Sequence, residues 1–331
     1  MLELNKIYNM DCLKGMQQIE DNSVDLVIAD PPYNIGKDYW DKYSKNDYYK
    51  LIQNWINEFQ RVLKDTGSLY LWHNNFSTLA RINVFVEDNT DFIFKNQLVW
   101  DKYNGNKRLG GFLQGFIEVE GLRNYQKMAE YCLYYTFQDQ NGLTKIQGSC
   151  VYPVREYLRK ETLRAKGRIC FKEINKVFGT ATNGGGVASA VLSLNKTVPA
   201  MITEEHYNKL REWLNKDLRN EYEYLRYTFN NNKSISSVIP CDIEEDYGHP
   251  TQKPTKIIRE FLLHSSKKDA VVLDPFIGSG TTAIACRQTD RRYIGFEIDK
   301  KYYKIALRRI RNTPKNLWNY DSQLKLEVYN V

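Results

Sequence analysis

Apolar residues fall along the first hundred positions in two alternating rhythms. Residues 23–29 (SVDLVIA) form a short apolar run that stops at Asp30-Pro31-Pro32, the pattern of a parallel strand buried on both faces. Residues 48–63 place Leu51, Ile52, Trp55, Ile56, Phe59, Val62 and Leu63 three or four apart, which predicts an amphipathic helix. Asp65-Thr66-Gly67 is expected to close that helix, and residues 68–72 (SLYLW) read as a returning strand. Residues 92–100 and 128–137 predict two further strands, with a loop over 103–123 between them. The texture then changes: residues 154–230 carry helical patterning, few strand candidates and a triple glycine at 184–186. After Cys241 the alternation resumes, with strands at 270–273 and 292–296 and helices at 279–287 and 300–311. This order predicts one doubly wound α/β domain built from both ends of the chain, residues 1–145 and 241–331, with a mainly helical insertion over 146–240.

Composition narrows the class. The 331 residues are 42% hydrophobic and 26% charged, which excludes wholesale disorder and fibrous repeats. No apolar run approaches the roughly eighteen residues of a membrane span. The opening MLELNKIYNMDCLKGM meets Glu3, Lys6 and Asp11 before any apolar block and is not expected to be a signal peptide. Cys12, Cys132, Cys150, Cys170, Cys241 and Cys286 lie far apart with no C-x-x-C pair, so no metal site or disulfide framework is expected, and the cytoplasm is the expected setting. The net charge is +7, and it is concentrated. Residues 151–200 carry nine Lys or Arg against three Asp or Glu, and residues 300–315 carry seven basic residues and no acid. Such blocks suit a polyanionic partner, although a solvated helix face has the same composition.

Two turns carry the candidate chemistry. In residues 270–287 a buried strand runs into Asp274-Pro275-Phe276-Ile277-Gly278-Ser279-Gly280-Thr281-Thr282 and then a helix. Gly278 and Gly280 let the backbone pass close to a ligand, and Glu297, nineteen residues beyond Gly278, ends the next strand, where a carboxylate can accept both hydroxyls of a ribose. An ordinary tight turn also uses G-x-G. Ala283 in the third-glycine position leaves a dinucleotide open, but Asp274 would repel a pyrophosphate and suits the ammonium group of S-adenosylmethionine. The second turn, Asp30-Pro31-Pro32-Tyr33, stands at the end of the strand 23–29. Two prolines remove two N–H donors and stiffen the chain, leaving the Asp30 carboxylate and the Pro31 carbonyl beside an aromatic face. That set suits a planar ring bearing an exocyclic amino group.

Together these segments resemble the amino-group DNA methyltransferases. The order of catalytic motif, variable region and cofactor motif is similar to their permuted β class, and the resemblance covers roughly residues 1–145 and 241–331. It implies a Rossmann-like, S-adenosyl-L-methionine-dependent methyltransferase sheet with a helical target-recognition insertion. The implied activity is transfer of a methyl group to the N6 amino group of a flipped adenine in double-stranded DNA. Asp at the first motif position is usual for adenine-N6 enzymes and Ser is commoner in cytosine-N4 enzymes; a cytosine-N4 enzyme and a DNA-binding protein with an inactive core are the alternatives. Carried over residue by residue, Asp30, Pro31, Pro32 and Tyr33 would hold the base. Phe276, Gly278, Ser279, Gly280, Thr281 and Glu297 would hold the cofactor, with Asp274 near its amino group. Asp11 and Cys12 in YNMDC resemble the segment that meets its adenine, and Thr251 and Lys253 in HPTQKP the segment that meets its methionine carboxylate. A homodimer and a cognate restriction endonuclease are further partners that the resemblance allows.

DNA contacts are sought among the basic segments. Residues 171–178 (FKEINKVF) and 187–194 (VASAVLSL) read as two short helices joined by a polar, glycine-rich turn, compatible with a helix-turn-helix reader and equally with two merely packed helices. Arg155, Lys172, Lys176 and Ser189 are the candidates there, and Lys107, Arg108 and Arg123 those of the loop 103–123. Replacing Lys172 and Lys176 together is expected to flatten the slope of log affinity against log salt by about two units, about one for each lost phosphate contact. Binding titrations over a range of salt concentrations measure this, and an unchanged slope places the DNA elsewhere.

Overall fold

The computed structural model describes residues 2–36, 42–102, 129–137, 151–180, 186–194, 202–215, 218, 236–244, 248 and 252–313. The chain divides into two compact units, one formed by Met1–Phe137 with Ile235–Val331 and the other by Gln138–Ser234. From the N-terminus come β1 (Lys6–Tyr8), α1 (Cys12–Met16), β2 (Val24–Ala29), α2 (Lys45–Val62), β3 (Leu63–His73), α3 (Phe76–Asn89), β4 (Ile93–Asp101) and β5 (Ala129–Thr136). The second unit supplies α4 (Val151–Lys166), α5 (Phe171–Phe178), α6 (Gly186–Leu192) and α7 (Glu204–Trp213). The first unit then continues with β6 (Val238–Pro240), α8 (Thr255–Ser265), β7 (Val271–Asp274), α9 (Thr281–Gln288), β8 (Arg292–Phe296) and α10 (Lys300–Asn312). No helix among the described residues is long and apolar enough to cross a membrane.

The first unit is an α/β sandwich around an eight-stranded sheet of order β1-β8-β7-β2-β3-β5-β4-β6. Its strands are parallel from β1 to β3, β5 runs antiparallel to both β3 and β4, and β6 is parallel to β4. The doubly wound expectation therefore holds for the parallel half and the far edge is mixed. The winding through the sheet reverses between β2, which leads outward to β3, and β7, which leads the other way to β8; the carboxyl ends of β2 and β7 adjoin at this switch point, where open α/β sheets place their ligands. Because β5 is antiparallel, its first residues reach the same rim, with Tyr131 opposite His73 and Glu130 opposite Trp100.

Burial on both faces explains the apolar strands. Val27, Ala29, Leu69, Leu71 and Leu273 face a layer formed with α1, α2 and α3, and Leu26, Ile28, Tyr70, Trp72 and Val272 face a layer formed with α8, α9 and α10. Ser44 caps α2 by accepting from the Asp47 N–H, and Tyr48, Ile52, Trp55, Ile56, Phe59 and Val62 form its buried stripe. One expectation fails locally. Asp65-Thr66-Gly67 is not a turn after the helix but part of β3, bulged out of the ladder: Val24 pairs with Leu63, and Leu26 next pairs with Ser68. A Cβ on Gly67 would stand 2.8 Å from the Leu63 side chain and the Lys64 carbonyl, so only glycine fits where the chain doubles against itself.

The glycine turn after β7 is locked from behind. Arg309 of α10 is buried, and its guanidinium donates to the Ser279 carbonyl at 2.9 Å, to Ser279 Oγ at 2.7 Å and to Thr281 Oγ1 at 3.2 Å. Gly280 sits at φ +87°, and its α-carbon lies over Ala306, whose Cβ and Cα would be 3.1 and 3.2 Å from an added Cβ.

In the helical unit, Leu158, Ile174, Phe178, Ala188, Val191, Leu192, Tyr207 and Leu210 make the core. Buried Asn175 joins α5 to α6 by accepting from the Ala188 N–H at 2.9 Å and from Thr180 Oγ1 at 3.1 Å. Arg155 corrects a sequence expectation: it is 5% exposed and donates to the Ser193 carbonyl at 3.2 Å, while Arg159 donates to the Leu192 carbonyl. Both cations therefore satisfy the carbonyl end of α6, where the helix dipole favours positive charge, and Arg155 is not presented to phosphates. Lys172 and Lys176 are exposed one turn apart on α5, and Ser189 is half-buried on α6. Lys107, Arg108 and Arg123 lie outside the described residues.

Gly280→Ala is expected to destabilise the protein by about 1–3 kcal/mol, because the new methyl meets backbone as well as a side chain and the left-handed φ is unfavourable for alanine. Chemical denaturation midpoints measure the loss.

Candidate active site

Four strand ends converge on one cleft of about 1040 Å³, counting its open mouth. Its wall takes Asp30, Pro31, Pro32 and Tyr33 from the end of β2, Phe276 from the turn after β7, Glu297 and Ile298 from the end of β8, and Met10, Asp11 and Cys12 from the end of β1. Trp55 of α2 and Tyr302 of α10 also line it. The two motifs singled out in the sequence thus face a single space.

The Asp30 corner is more heavily tied than the sequence suggests. Tyr33 donates its hydroxyl to Asp30 Oδ1 at 2.6 Å, and Lys253 donates to Asp30 Oδ2 at 2.6 Å. The Lys253 ammonium is 5% exposed and also stands 3.1 Å from Glu130 Oε2, while Glu130 Oε1 is held by Lys102. It lies over the rings of Tyr33 and Trp72, 5.4 and 5.3 Å from their centres. Lys253 therefore does not stand apart as a surface cation awaiting a carboxylate ligand; its charge is used by Asp30 and Glu130. Burial raises the Asp30 carboxyl above its ordinary range against the opposing pull of Lys253. Burial also works to lower Lys253 and to raise Glu130, but the ion pairs outweigh it and leave Lys253 above and Glu130 below their ordinary values.

A second chain of hydrogen bonds fixes the other side of the corner. The Asn75 N–H donates to His73 Nδ1 at 3.0 Å, His73 Nε2 lies 3.0 Å from the Tyr48 hydroxyl, and Tyr48 donates to the Pro32 carbonyl at 2.6 Å. Since Nδ1 accepts and the Tyr48 proton goes to Pro32, the donors balance only if His73 is neutral with its proton on Nε2. Burial, reinforced by the Lys253 charge, lowers His73 to about 4, in keeping with that form. The Tyr33 ring packs 4.7 Å from the His73 ring. Of the corner's carbonyls, Pro32 is taken by Tyr48, and no described residue donates to Pro31.

Around the second motif, Glu297 Oε2 accepts from the Gly278 N–H at 2.9 Å and Oε1 from the Asp299 N–H at 2.7 Å, and burial pushes its carboxyl up to about 7. Phe276 stands edge-on to Trp55 with ring centres 4.8 Å apart. Asp11 caps α1 by accepting from the Lys14 N–H at 3.1 Å, and Cys12 is a buried thiol raised far above its ordinary value by burial. Asp274, Ser279 and Thr281 depart from expectation. All three are buried and none lines the cleft: Asp274 accepts from the Phe276 N–H and from Thr282 Oγ1, and the two hydroxyls answer to Arg309 and Gln252. Thr251 lies outside the described residues. Lys102, Glu130, His73, Tyr48 and Arg309 were not anticipated. For His73 a sequence signal exists, a polar residue ending the strand 68–72, whereas Glu130 is a lone acid among aromatic strand residues. Among the described residues no group of three or more His, Cys, Asp or Glu gathers to hold a metal ion.

The Asp30–Tyr33 corner and the Glu297 carboxylate thus open onto one cleft at the switch point of a parallel sheet, where open α/β sheets place their ligands. The sequence profile of the DNA methylase family, N6_N4_Mtase, matches residues 24–308, and the chain belongs to that family. It is similar to the type II methyltransferase M.HpaI of Haemophilus parainfluenzae, 24% identical over 318 residues that span 95% of this chain and 77% of that protein. It is also similar to the DNA adenine methyltransferase YhdJ of Escherichia coli (strain K12), 26% identical over 311 residues that span 93% and 83% of the two. Among solved structures, the PvuII DNA methyltransferase (cytosine-N4-specific) superposes with a TM-score of 0.54 at 13% identity, over 98% of this chain and 91% of that one, a likeness of fold.

Asp274 yields a prediction with a definite sign. Burial pushes its carboxyl up to about 7, offset only in part by Thr282 and Phe276. A carboxyl raised in the folded state costs stability as pH rises from the unfolded value, near 4, through 7. Asp274→Asn keeps an acceptor for the Phe276 N–H and a partner for the Thr282 hydroxyl. It is therefore expected to raise the thermal midpoint at pH 8, with the gain shrinking as pH falls through 7 and vanishing only near pH 4. Equal midpoints for the two proteins at pH 8 would show that Asp274 carries no such charge.

Proposed function

We propose that this chain is a site-specific DNA methyltransferase that transfers a methyl group from S-adenosyl-L-methionine to the N6 amino group of an adenine flipped out of double-stranded DNA. The observation that carries the reading is the single cleft onto which Asp30–Tyr33, Phe276 and Glu297 all open. The residues fit such a cofactor. Glu297 retains lone pairs beyond its two backbone donors for a ribose diol, Phe276 is braced by Trp55 as a flat apolar wall, and Asp11 brings acidic character to a cleft that would receive a cation. When bound, S-adenosylmethionine supplies an electrophilic methyl on a positively charged sulfur.

The chain's own groups do the rest. Asp30 and the Pro31 carbonyl accept the two amino hydrogens, which draws the nitrogen out of conjugation and frees its lone pair. Both contacts strengthen as the nitrogen becomes positive, so they stabilise the transition state more than the ground state. Lys253 and Tyr33 hold Asp30 in place, and the His73–Tyr48–Pro32 chain holds the peptide beside it. Extruding the base costs a few kcal/mol, of which stacking against Tyr33 returns roughly 1–3 kcal/mol. The helical unit, with Lys172 and Lys176 exposed on α5, is the candidate target reader. The β-class order of motifs, action in the cytoplasm on nucleoid DNA and a homodimer belong to the same proposal, as does a cognate restriction endonuclease, for which the type II methyltransferases among the relatives speak.

Incubation of DNA with methyl-labelled S-adenosylmethionine, followed by nucleoside analysis, is expected to give N6-methyladenine; N4-methylcytosine as the product would overturn the choice of base. Asp30→Ala is expected to bind the cofactor in calorimetry with little change while losing roughly 100-fold or more in transfer rate. Near-normal transfer by that variant would remove Asp30 from the reaction.

A further inference from the structure

Lys253 presents an electrostatic problem that the proposed reaction alone does not resolve. A full ammonium charge, 2.6 Å from the carboxylate that must meet an amine turning positive, opposes the very charge that develops there. Yet the same ammonium orients Asp30 and keeps it ionised in a buried place. The antiparallel course of β5 supplies the answer. It brings Glu130 to the rim, where its Oε2 lies 3.1 Å from Lys253, and Lys102, just past the end of β4, secures Oε1 from the outer side. The order Asp30–Lys253–Glu130–Lys102 alternates in sign. Lys253 is the most enclosed of the four side chains and Lys102 the most open.

We propose that Glu130, anchored by Lys102, is a positioning residue for methyl transfer: it shares the Lys253 ammonium with Asp30, so that Asp30 stays fixed while its charge towards the amine is not cancelled by Lys253. This rests on the amino-methylation reading. The fold makes the arrangement specific, because a parallel strand in the place of β5 would direct its first residues to the opposite edge of the sheet. The groups that face Asp30 are Tyr33 from its own turn, Lys253 ahead of α8, Glu130 and Cys132 from β5, and Asp274 at the end of β7; His73 faces Lys253 and Glu130. Of the charged members, Glu130 and Lys102 can be neutralised without touching a group that meets the substrate.

The test is single-turnover methyl transfer by the full chain, at saturating S-adenosylmethionine and DNA, as a function of pH. Glu130→Gln is expected to slow transfer by roughly tenfold and to move the acid limb of the profile to lower pH, because Asp30 then ionises more readily beside an unshared ammonium. Lys102→Gln, a change at the most open of the four side chains, is expected to move the acid limb the other way, to higher pH, with cofactor affinity unchanged. A purely structural role gives neither displacement. Acid limbs that stay put, or that move in the same direction in both variants, overturn the proposal. Wild-type protein that leaves DNA unmethylated defeats the reading of the reaction itself, which separates the two failures.

Discussion

The ion pair between Lys253 and Asp30 is the constraint around which the catalytic unit is organised. A buried ammonium is tolerable only with compensating carboxylates, and removing one partner of such a pair leaves a charge stranded in a poorly hydrated place, typically at about 3–5 kcal/mol. The fold therefore has to deliver Asp30 from β2, Glu130 from β5 and Lys253 from the segment before α8 to one point, over sequence separations of up to 223 residues. Sheet order does this. Parallel β2 delivers Asp30 just past its last residue and antiparallel β5 contributes its second, and a strand flipped at either place would strand the lysine.

Rigidity follows from the same arrangement. Asp30 is held by a hydroxyl and an ammonium, the following peptide by Tyr48 and a neutral histidine, and the glycine turn across the cleft by the Arg309 guanidinium. Apart from Tyr33, which shares the turn of Asp30, each lock comes from an element other than the one it holds, so the cleft is shaped before any ligand arrives. Preorganisation of this kind lets fixed dipoles and charges act on a developing charge without reorganising during the reaction.

Much of this was legible in the sequence, and the reason is local. The runs at 23–29 and 292–296 announce buried parallel strands, and the prolines and glycines that follow mark turns whose conformations need them. What escaped was whatever depends on a partner distant along the chain. Glu130 reads as one acid among aromatic residues until the antiparallel register places it beside Lys253. Arg155 reads as a phosphate contact because charge is visible in a sequence and burial is not; the carbonyl end of α6 claims it. Asp65-Thr66-Gly67 has turn chemistry and is a bulge because β2 pairs with both sides of it. Asp274 has the right charge for an ammonium ligand, but Thr282 and the Phe276 backbone reach it first.

The pairing of β2 with β7 has a temporal side. Residues 26 and 27 need 272 and 273 beside them, and ribosomes add roughly 5–20 residues per second, so a nascent chain carries its Asp30–Tyr33 corner for about 10–50 s before the neighbouring strand exists. During that interval the open flank of β2 is an apolar edge that invites chaperone capture or mispairing. It also means that no truncated translation product that stops short of β7 can assemble the cleft, so incomplete chains leave the genome unmarked.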